Sequence, residues 1–215
     1  ADYIATATLI GADLFDATRA ERALQFLLAT ANGLATSWDF SANLGTEIRY
    51  WDSHSLTIQR FYQMICLIYG SNQAQFAQLP ERVGMPEARA ARCPAEFERA
   101  DRSLQWMLEN FGRQSDDPPG AEIELVFERE PSQVAQRVMA AVNESGMLQN
   151  TVRLLRERFT LETPFRIAFR ACRQPQAMWY PEAREIAICY ALIDSYYSLG
   201  LTRSASRRQQ ELDTP

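Results

Sequence analysis

Lysine, histidine and long apolar runs are scarce in this sequence. The 215 residues contain no lysine, so all 22 basic residues are arginines, and they contain one histidine. The formal net charge of -5 argues against the concentrated basic face that nucleic-acid binding needs. No run of about 18 uninterrupted apolar residues occurs, so no membrane span is predicted. The chain opens without a retained signal peptide, and its first residue, Ala1, indicates a processed or trimmed start.

The four cysteines lack any C-x-x-C pair, which argues against a zinc ribbon. Their even number fits two disulfides in an oxidising compartment. The alternative is four buried free thiols, because a chain of this length can fold without bridges. Cys172 and Cys189 flank a predicted hairpin that would bring them together, and this favours disulfides.

The first half of the chain reads as helical. Apolar residues recur at helical spacing, and a stretch rich in Trp, Asn and Gly, "SWDFSANLGTEIRYWDS", interrupts the pattern. Gly70 and Gly112 are predicted to end the third and fourth helices. The predicted helices cover residues 3–15, 18–36, about 53–69 and 94–111.

The second half changes its period after a linker at 113–120, in "GRQSDDPPG". Residues 121–200 predict a strand, two helices, a strand, a hairpin and a helix, because "AEIELVFERE" and "FRIAFRAC" alternate apolar and polar residues. The acidic alternation of the first strand is interpreted as a solvated face, in preference to a cation site. Residues 201–215 lack apolar periodicity and predict a disordered tail. We therefore expect an all-helical part at 1–112 and an α+β fold, with 1–200 forming one compact domain.

Catalytic motifs are not recognisable in the sequence. A zinc hydrolase commonly places two histidines one helical turn apart, and one histidine cannot form that pair. His54 lies between Ser53 and Ser55 and close to Asp52, but neighbours on one helix do not form a catalytic triad. The favoured interpretation is that Ser53 or Asp52 caps the third helix and that His54 is a polar residue of its first turn.

Three stretches carry a family resemblance. "WDSHSLTIQRFYQMICLIYGSNQAQFAQL" and "ARAARCPAEFERADRSLQWML" resemble the C-terminal part of a bacterial family described as "putative metallopeptidase". "GMLQNTVRLLRERFTLETPFRIAFRACRQPQAMWYPEAREIAICYALID" resembles the N-terminal part of the same family. Together they cover most of the chain.

The sequence departs from the family pattern in two ways. The family runs from the strand module through a His-Glu-x-x-His helix and an acidic segment to the helical part, whereas here the helical part comes first. The zinc helix is missing. Ala1-Asp2 resembles the end of the acidic segment, so the chain starts just after the family's metal ligands and ends just before them. Two explanations fit this order. One is a natural or engineered permutation that lost the catalytic segment, and the other is a piece of a longer polypeptide, duplicated or not, whose zinc segments lie outside both ends.

The resemblance implies a zincin-like α+β fold, mainly helical, with a small antiparallel or mixed sheet packed on helices. It also suggests the cysteine pairing: Cys66 with Cys93, clamping the third helix to the fourth, and Cys172 with Cys189, joining two strands. No zinc ligand carries over to any residue here, so zinc is expected only if the missing segment is supplied. Disulfides in turn predict a secreted or periplasmic protein.

Three functions remain open at this point. The first is a divergent, non-catalytic relative that binds a peptide or protein ligand. The second is a portion of an active zinc peptidase, in which His54 helps to bind substrate or to stabilise the oxyanion. The third is an interaction module whose missing helix leaves an apolar patch for a homodimer or a covering partner.

Overall fold

A computed structural model describes residues 2–11, 17–45, 48, 55–114, 116–118, 120–129 and 132–213. The chain divides into two compact units, Ala1–Trp106 (unit 1) and Met107–Pro215 (unit 2). The boundary lies in a helix, several residues before the predicted linker at 113–120. The predicted packing of residues 1–200 as a single compact domain stays a prediction.

Unit 1 is helical. The described helices are α1 (Asp2–Ile10), α2 (Ala17–Asn43), α3 (Thr57–Ser71), α4 (Leu79–Arg82), α5 (Glu87–Ala90) and α6 (Cys93–Phe111), the last of which crosses into unit 2. On α2 the buried residues Leu27, Ala31 and Leu34 recur every three or four positions and so share one face. That face packs in a core with Ile65 and Ile68 of α3.

Helix α2 is longer than the sequence predicted. It continues through Ser37 and Trp38, where we expected an interruption, and ends at Asn43. Tryptophan and asparagine are only mildly unfavourable inside a helix, and a buried face that is already formed outweighs so small a preference.

The predicted start of the third helix is wrong. Helix α3 begins at Thr57 with Leu56 as its N-cap residue, and the Gln59 side chain accepts the Leu56 backbone N–H at 3.2 Å. The glutamine satisfies the N–H group of the N-cap residue itself, so α3 begins here without the predicted Ser or Asp cap. Both of these residues and His54 lie outside the described residues.

Gly70 lies inside α3 rather than at its end. A Cβ atom at this position would clash with the Cys93 carbonyl group and press on the Phe97 side chain. The glycine therefore permits the close approach of α3 and α6 at the point where a disulfide joins them.

Unit 2 confirms the predicted order of elements. Its described strands and helices are β1 (Ile123–Phe127), α7 (Gln133–Glu144), α8 (Met147–Arg158), β2 (Phe165–Arg170), β3 (Ala177–Tyr180), β4 (Glu185–Cys189) and α9 (Tyr190–Asp213). The four strands form a mixed sheet in the order β1-β2-β4-β3. β1, β2 and β4 are parallel, whereas β3 is antiparallel to β4. This architecture confirms the predicted α+β class with a small mixed sheet.

The apolar face of the sheet packs on helices. Phe169 of β2 lies in a core with Ala135 and Met139 of α7 and with Tyr190, the first residue of α9. The Tyr190 hydroxyl donates a hydrogen bond of 2.8 Å to the Glu128 carbonyl oxygen, which ties the start of α9 to the end of β1. The sheet thus presents its other face away from this core.

The predicted disordered tail differs from the structure, in which α9 continues as a helix to Asp213. Residues 203–211 are rich in Arg, Gln and Glu, which have good helix propensity. An absence of apolar periodicity therefore did not indicate an absence of helix.

Candidate functional site

The second face of the sheet is charged. Alternation along β2 places Arg166, Ala168 and Arg170 on the face opposite to Phe165, Ile167 and Phe169. Glu185 of β4 pairs in register with Arg166. Glu185 is 3% exposed, so its carboxylate is buried on this face among arginine side chains.

Arg170 joins two carboxylates. Its Nε and terminal nitrogen donate to the two carboxylate oxygens of Glu185 at 2.7 and 2.6 Å. Its other terminal nitrogen donates to Glu128, which follows β1, at 2.5 Å. The second Glu128 oxygen accepts the Ala171 backbone N–H at 2.9 Å. Arg166 lies 3.4 Å from Glu185 and contributes a weaker ion pair.

These contacts set the charge states of the cluster. The hydrogen bonds from Arg170 hold the pKa of Glu185 below its ordinary value, against the opposing effect of burial. The Ala171 N–H, followed by Arg170, lowers the pKa of Glu128. The two carboxylates in turn raise the pKa of Arg170. At neutral pH both glutamates are ionised, so neither is suited to donate a proton as a general acid.

An open cavity of about 410 Å³ lies over this cluster. Its wall includes the disulfide between Cys172 and Cys189, whose Cα atoms are 5.4 Å apart. Met178 and Tyr180 of β3 complete it on the side of the sheet edge. The cavity thus connects the charged face with strand β3.

Strand β3 is one of the two edge strands of the sheet, and no other described strand pairs with its outer side. All four of its residues are exposed, including Met178 at 45% and Trp179 at 49%. An exposed edge with apolar side chains is a template for pairing with another extended chain.

A second cavity, of about 490 Å³, lies on the other side of this edge. The Trp179 ring meets Phe165 edge-to-face with 6.2 Å between ring centroids. The remaining wall combines the apolar residues Phe111, Leu161 and Pro181 with polar ones, namely Thr160, Glu162, Thr163 and Arg184. An apolar side chain fits against the rings of Trp179 and Phe165.

Both predicted disulfides are present: Cys66 pairs with Cys93 in unit 1 and Cys172 with Cys189 in unit 2. The Cys66–Cys93 pair has a Cα–Cα distance of 4.9 Å and is completely buried. The structure brings none of the cysteines to a metal-binding arrangement, because the described cysteines are all paired.

The described residues do not fit a zinc site. Nowhere among them do three or more His, Cys, Asp or Glu side chains converge as metal ligands. The auxiliary candidate His54 lies outside the described residues, so its suggested role stays a prediction.

Sequence reasoning missed the cluster of Arg170, Glu128 and Glu185. Glu128 was included in the solvated acidic face, and the other two residues were passed over. A signal was available, since a charged residue at each end of a mostly apolar strand pair indicates ion pairing across the sheet. The register that aligns β2 with β4 was not readable from the sequence.

Comparison with known proteins identifies a family. The pattern of a family described as "Putative metallopeptidase" matches residues 1–108 and 127–214. No curated protein and no solved structure matches the chain significantly. Among the described residues, no helix has both the length and the apolarity needed to cross a membrane.

Proposed function

Because the chain belongs to the "Putative metallopeptidase" family, we propose that it is a divergent member that binds an extended peptide along β3. The observation that carries the proposal is the exposed edge position of this strand between two cavities. Peptidases and their relatives must hold a peptide in an accessible, extended form. Strand addition at a sheet edge does this with main-chain hydrogen bonds.

The register identifies which backbone groups are available. The Cys189 N–H donates to the Gln176 carbonyl oxygen at 3.0 Å, and Met178 pairs with Ala187. Hydrogen-bonded and non-hydrogen-bonded pairs alternate in an antiparallel ladder. The N–H and C=O groups of Ala177 and Trp179 therefore point away from β4, toward an added strand.

Side chains of a bound peptide would alternate between the two cavities. On one side they would meet Trp179 and Phe165, which suit an apolar residue. On the other they would meet Met178, Tyr180 and the Arg170 cluster, which suit a polar residue. We infer a preference for peptides in which apolar and polar residues alternate.

Proline substitution tests the edge. Ala177→Pro removes one outward N–H but leaves the pairing with β4, because Ala177 is at a non-hydrogen-bonded position. We expect it to weaken binding of a valine–threonine alternating hexapeptide about tenfold. Calorimetry measures the affinity, because the chain has four tryptophans and the emission of Trp179 is not separated from that of the other three.

Ala177→Val is the matched control, since it changes the side chain and keeps the N–H. It should bind the hexapeptide as the unchanged protein does. Equal affinity of the proline variant and the valine variant, with both folded by circular dichroism, would show that the edge is not the binding surface.

We further propose that the 215 residues are non-catalytic by themselves. One histidine cannot supply the two ligands of a His-Glu-x-x-His helix, and the other described residues do not replace them. Incubation with zinc and a mixed peptide substrate should give no cleavage. Cleavage abolished by a chelator would refute this part and leave the binding experiment unaffected.

A second candidate is that the chain is part of an active zinc peptidase whose ligands come from outside this sequence. The membership of nearly the whole chain in the family favours it. The intact mass of the native protein, compared with 24.5 kDa, tests whether more chain is present. In such a longer protein, His54→Ala should lower kcat if the imidazole stabilises the oxyanion. An unchanged rate would remove His54 from the mechanism.

A covering partner is a third proposal, supported by the apolar surface of α2. Phe26 and Phe40 are 55% and 44% exposed on this helix, and Leu44 just beyond it is 66% exposed. A homodimer that buries them would appear as a concentration-dependent mass in light scattering. A monomer at every concentration would exclude the homodimer.

The two disulfides also support a secreted or periplasmic location, which fractionation of the source cells would test.

A further inference from the structure

A third cavity lies in unit 2 at the opposite edge of the sheet from β3. It has a volume of about 480 Å³ and is bounded by Leu125 of β1, the face of α8 that carries Gln149 and Val152, and Arg113. β2 and β4 separate β1 from β3 in the sheet. The cavity is therefore independent of the proposed peptide edge.

The wall of this cavity carries an excess of positive charge. Arg113, Arg153 and Arg156 line it together with one carboxylate, Glu157. Glu157 is already bound by Arg153 through contacts of 3.1 and 2.9 Å. Among the described residues no carboxylate lies within ion-pair distance of Arg113 or Arg156. Within the part of the chain that the structure describes, the guanidinium groups of Arg113 and Arg156 thus have no carboxylate partner.

Backbone groups hold both of these arginines in place. Arg113 donates to the carbonyl oxygens of Arg156 and Asp117 at 3.2 and 2.5 Å. Arg156 donates to the Gly120 carbonyl oxygen at 3.3 Å. The Nε atom of Arg113 is buried and has no hydrogen-bond partner among the described residues. Neutral carbonyls orient the cations but do not neutralise them, so an anion is favoured beside them.

The floor of the cavity is apolar. Leu125 of β1 and Val152 of α8 are half-buried, and both line the cavity. Phosphate or another small inorganic anion would leave this floor in contact with water. A ligand with an apolar chain behind its carboxylate would cover it.

We propose that this cavity binds an organic carboxylate with a short apolar chain. Such a ligand neutralises Arg113 and Arg156 and covers Leu125 and Val152 in a single orientation. A free aliphatic acid and the C-terminal residue of an apolar peptide share this chemistry. The arrangement of fixed cations around an apolar floor fits a small-molecule site, in which a few polar groups orient a mostly apolar ligand.

The experiment is calorimetric titration of the full chain with hexanoate. Acetate lacks the apolar chain and 1-hexanol lacks the charge, so each should bind at least about tenfold more weakly than hexanoate. N-acetylleucine represents the C-terminal residue of a peptide. Tighter binding of N-acetylleucine than of hexanoate would identify a peptide as the source of the carboxylate, and the reverse order a free acid.

Variants locate the bound molecule. Arg156→Gln should weaken hexanoate binding about tenfold, whereas Arg158→Gln, on the same helix but outside the cavity wall, should leave it unchanged. Val152→Thr keeps the side-chain shape and should weaken hexanoate without affecting acetate. Arg153→Gln provides a second charge variant at an exposed position, in case Arg156→Gln does not fold.

Three results would overturn the proposal. One is the absence of saturable hexanoate binding at millimolar concentrations. Another is an equal loss of affinity in Arg156→Gln and Arg158→Gln, which would place the acid elsewhere. The third is displacement of hexanoate by inorganic phosphate with an affinity equal to that of hexanoate. This would show a general anion site that does not require an apolar chain.

Discussion

The two units use the same side chains, a disulfide beside an Arg–Glu pair, in two different surroundings. In unit 1 the Cys66–Cys93 disulfide is completely buried in the helical core, and Arg89 binds both Glu96 and the Cys66 sulfur, at 2.9 and 2.7 Å. In unit 2 the Cys172–Cys189 disulfide and the Arg170–Glu185 pair form the wall of an open cavity. Identical residue types thus serve packing in one unit and line an accessible surface in the other.

This difference follows from the elements that carry them. Helices α3 and α6 approach closely at Gly70 and exclude solvent from the bridge between them. A four-stranded sheet has two faces, and in unit 2 the core lies on the face of Phe169. The second face keeps the side chains of Arg166 and Arg170 partly in contact with water, although Glu185 on the same face is buried. A buried Arg–Glu ion pair beside a disulfide therefore does not by itself indicate a functional site. The same arrangement beside a cavity suggests one.

Removal of each disulfide should show the largest difference between the units. Replacing Cys66 and Cys93 by alanine should cost about 3–5 kcal/mol of unfolding free energy, because it opens a 27-residue loop and leaves a cavity in the core. The corresponding change at Cys172 and Cys189, which closes 17 residues, should cost about 2–3 kcal/mol. Urea unfolding of the two double variants measures both.

Mild reductant should also reach Cys172–Cys189 first, because Cys172 is only half-buried. Alkylation followed by peptide mapping gives the order. Reduction of Cys66–Cys93 before the other bridge would contradict the contrast between core and surface.

Loss of Arg170 should have the next largest effect. Arg170→Ala leaves the buried Glu185 carboxylate without its bidentate partner and should cost about 3 kcal/mol. Arg166→Ala is the control, since that side chain is 44% exposed and contacts Glu185 at 3.4 Å; it should cost less than about 1 kcal/mol. Thermal unfolding separates the two. Equal losses would show that the bidentate contact is not the important one.

Replacement of glycine by alanine should lower the stability of the protein at Gly70 and raise it at Gly200. Gly70→Ala forces α3 away from Cys93 and should destabilise unit 1 by about 2 kcal/mol. Gly200 lies in α9 with no atom within 4 Å of an added Cβ, so Gly200→Ala should stabilise the helix by up to about 1 kcal/mol. Urea midpoints of the two variants test this. A destabilised Gly200→Ala protein would mean that α9 packs more closely than the structure shows.

Acid should weaken unit 2 through Glu185. The pKa of this group is lowered in the folded state, so its stabilising contribution is present above the ordinary glutamate pKa of about 4.3 and is lost as pH falls through the lowered value. The unfolding free energy should therefore fall with acidification in that window. In Glu185→Gln the unfolding free energy should fall less steeply over the same pH window. The difference from the unchanged protein should be smaller than the loss of unfolding free energy caused by Arg170→Ala. An unchanged slope would show that Glu185 does not titrate with folding.

Local pattern was enough to predict most elements of unit 2. Alternation of Phe165, Ile167 and Phe169 identified β2, and the tight turn at Pro181–Arg184 identified the hairpin, because both signals involve neighbouring residues. The same reasoning failed at the start of α3 and at the end of α2. There the outcome depended on Gln59 as a capping side chain and on a buried face already formed by α2.

The sequence alone determined the α+β class, the element order of unit 2, the resemblance to the metallopeptidase family and the lack of a His pair. The fold class and element order follow from short-range periodicity, the lack of a His pair from composition, and the resemblance from three stretches that match the family. Only the tertiary structure decided that β3 is the free edge, that Arg170 joins Glu128 and Glu185, and that Arg113 meets α8 over an apolar floor. Arg170 and Glu128 are 42 positions apart and Arg113 and Arg156 are 43 apart, and strand register and helix packing, which no local pattern specifies, bring them together.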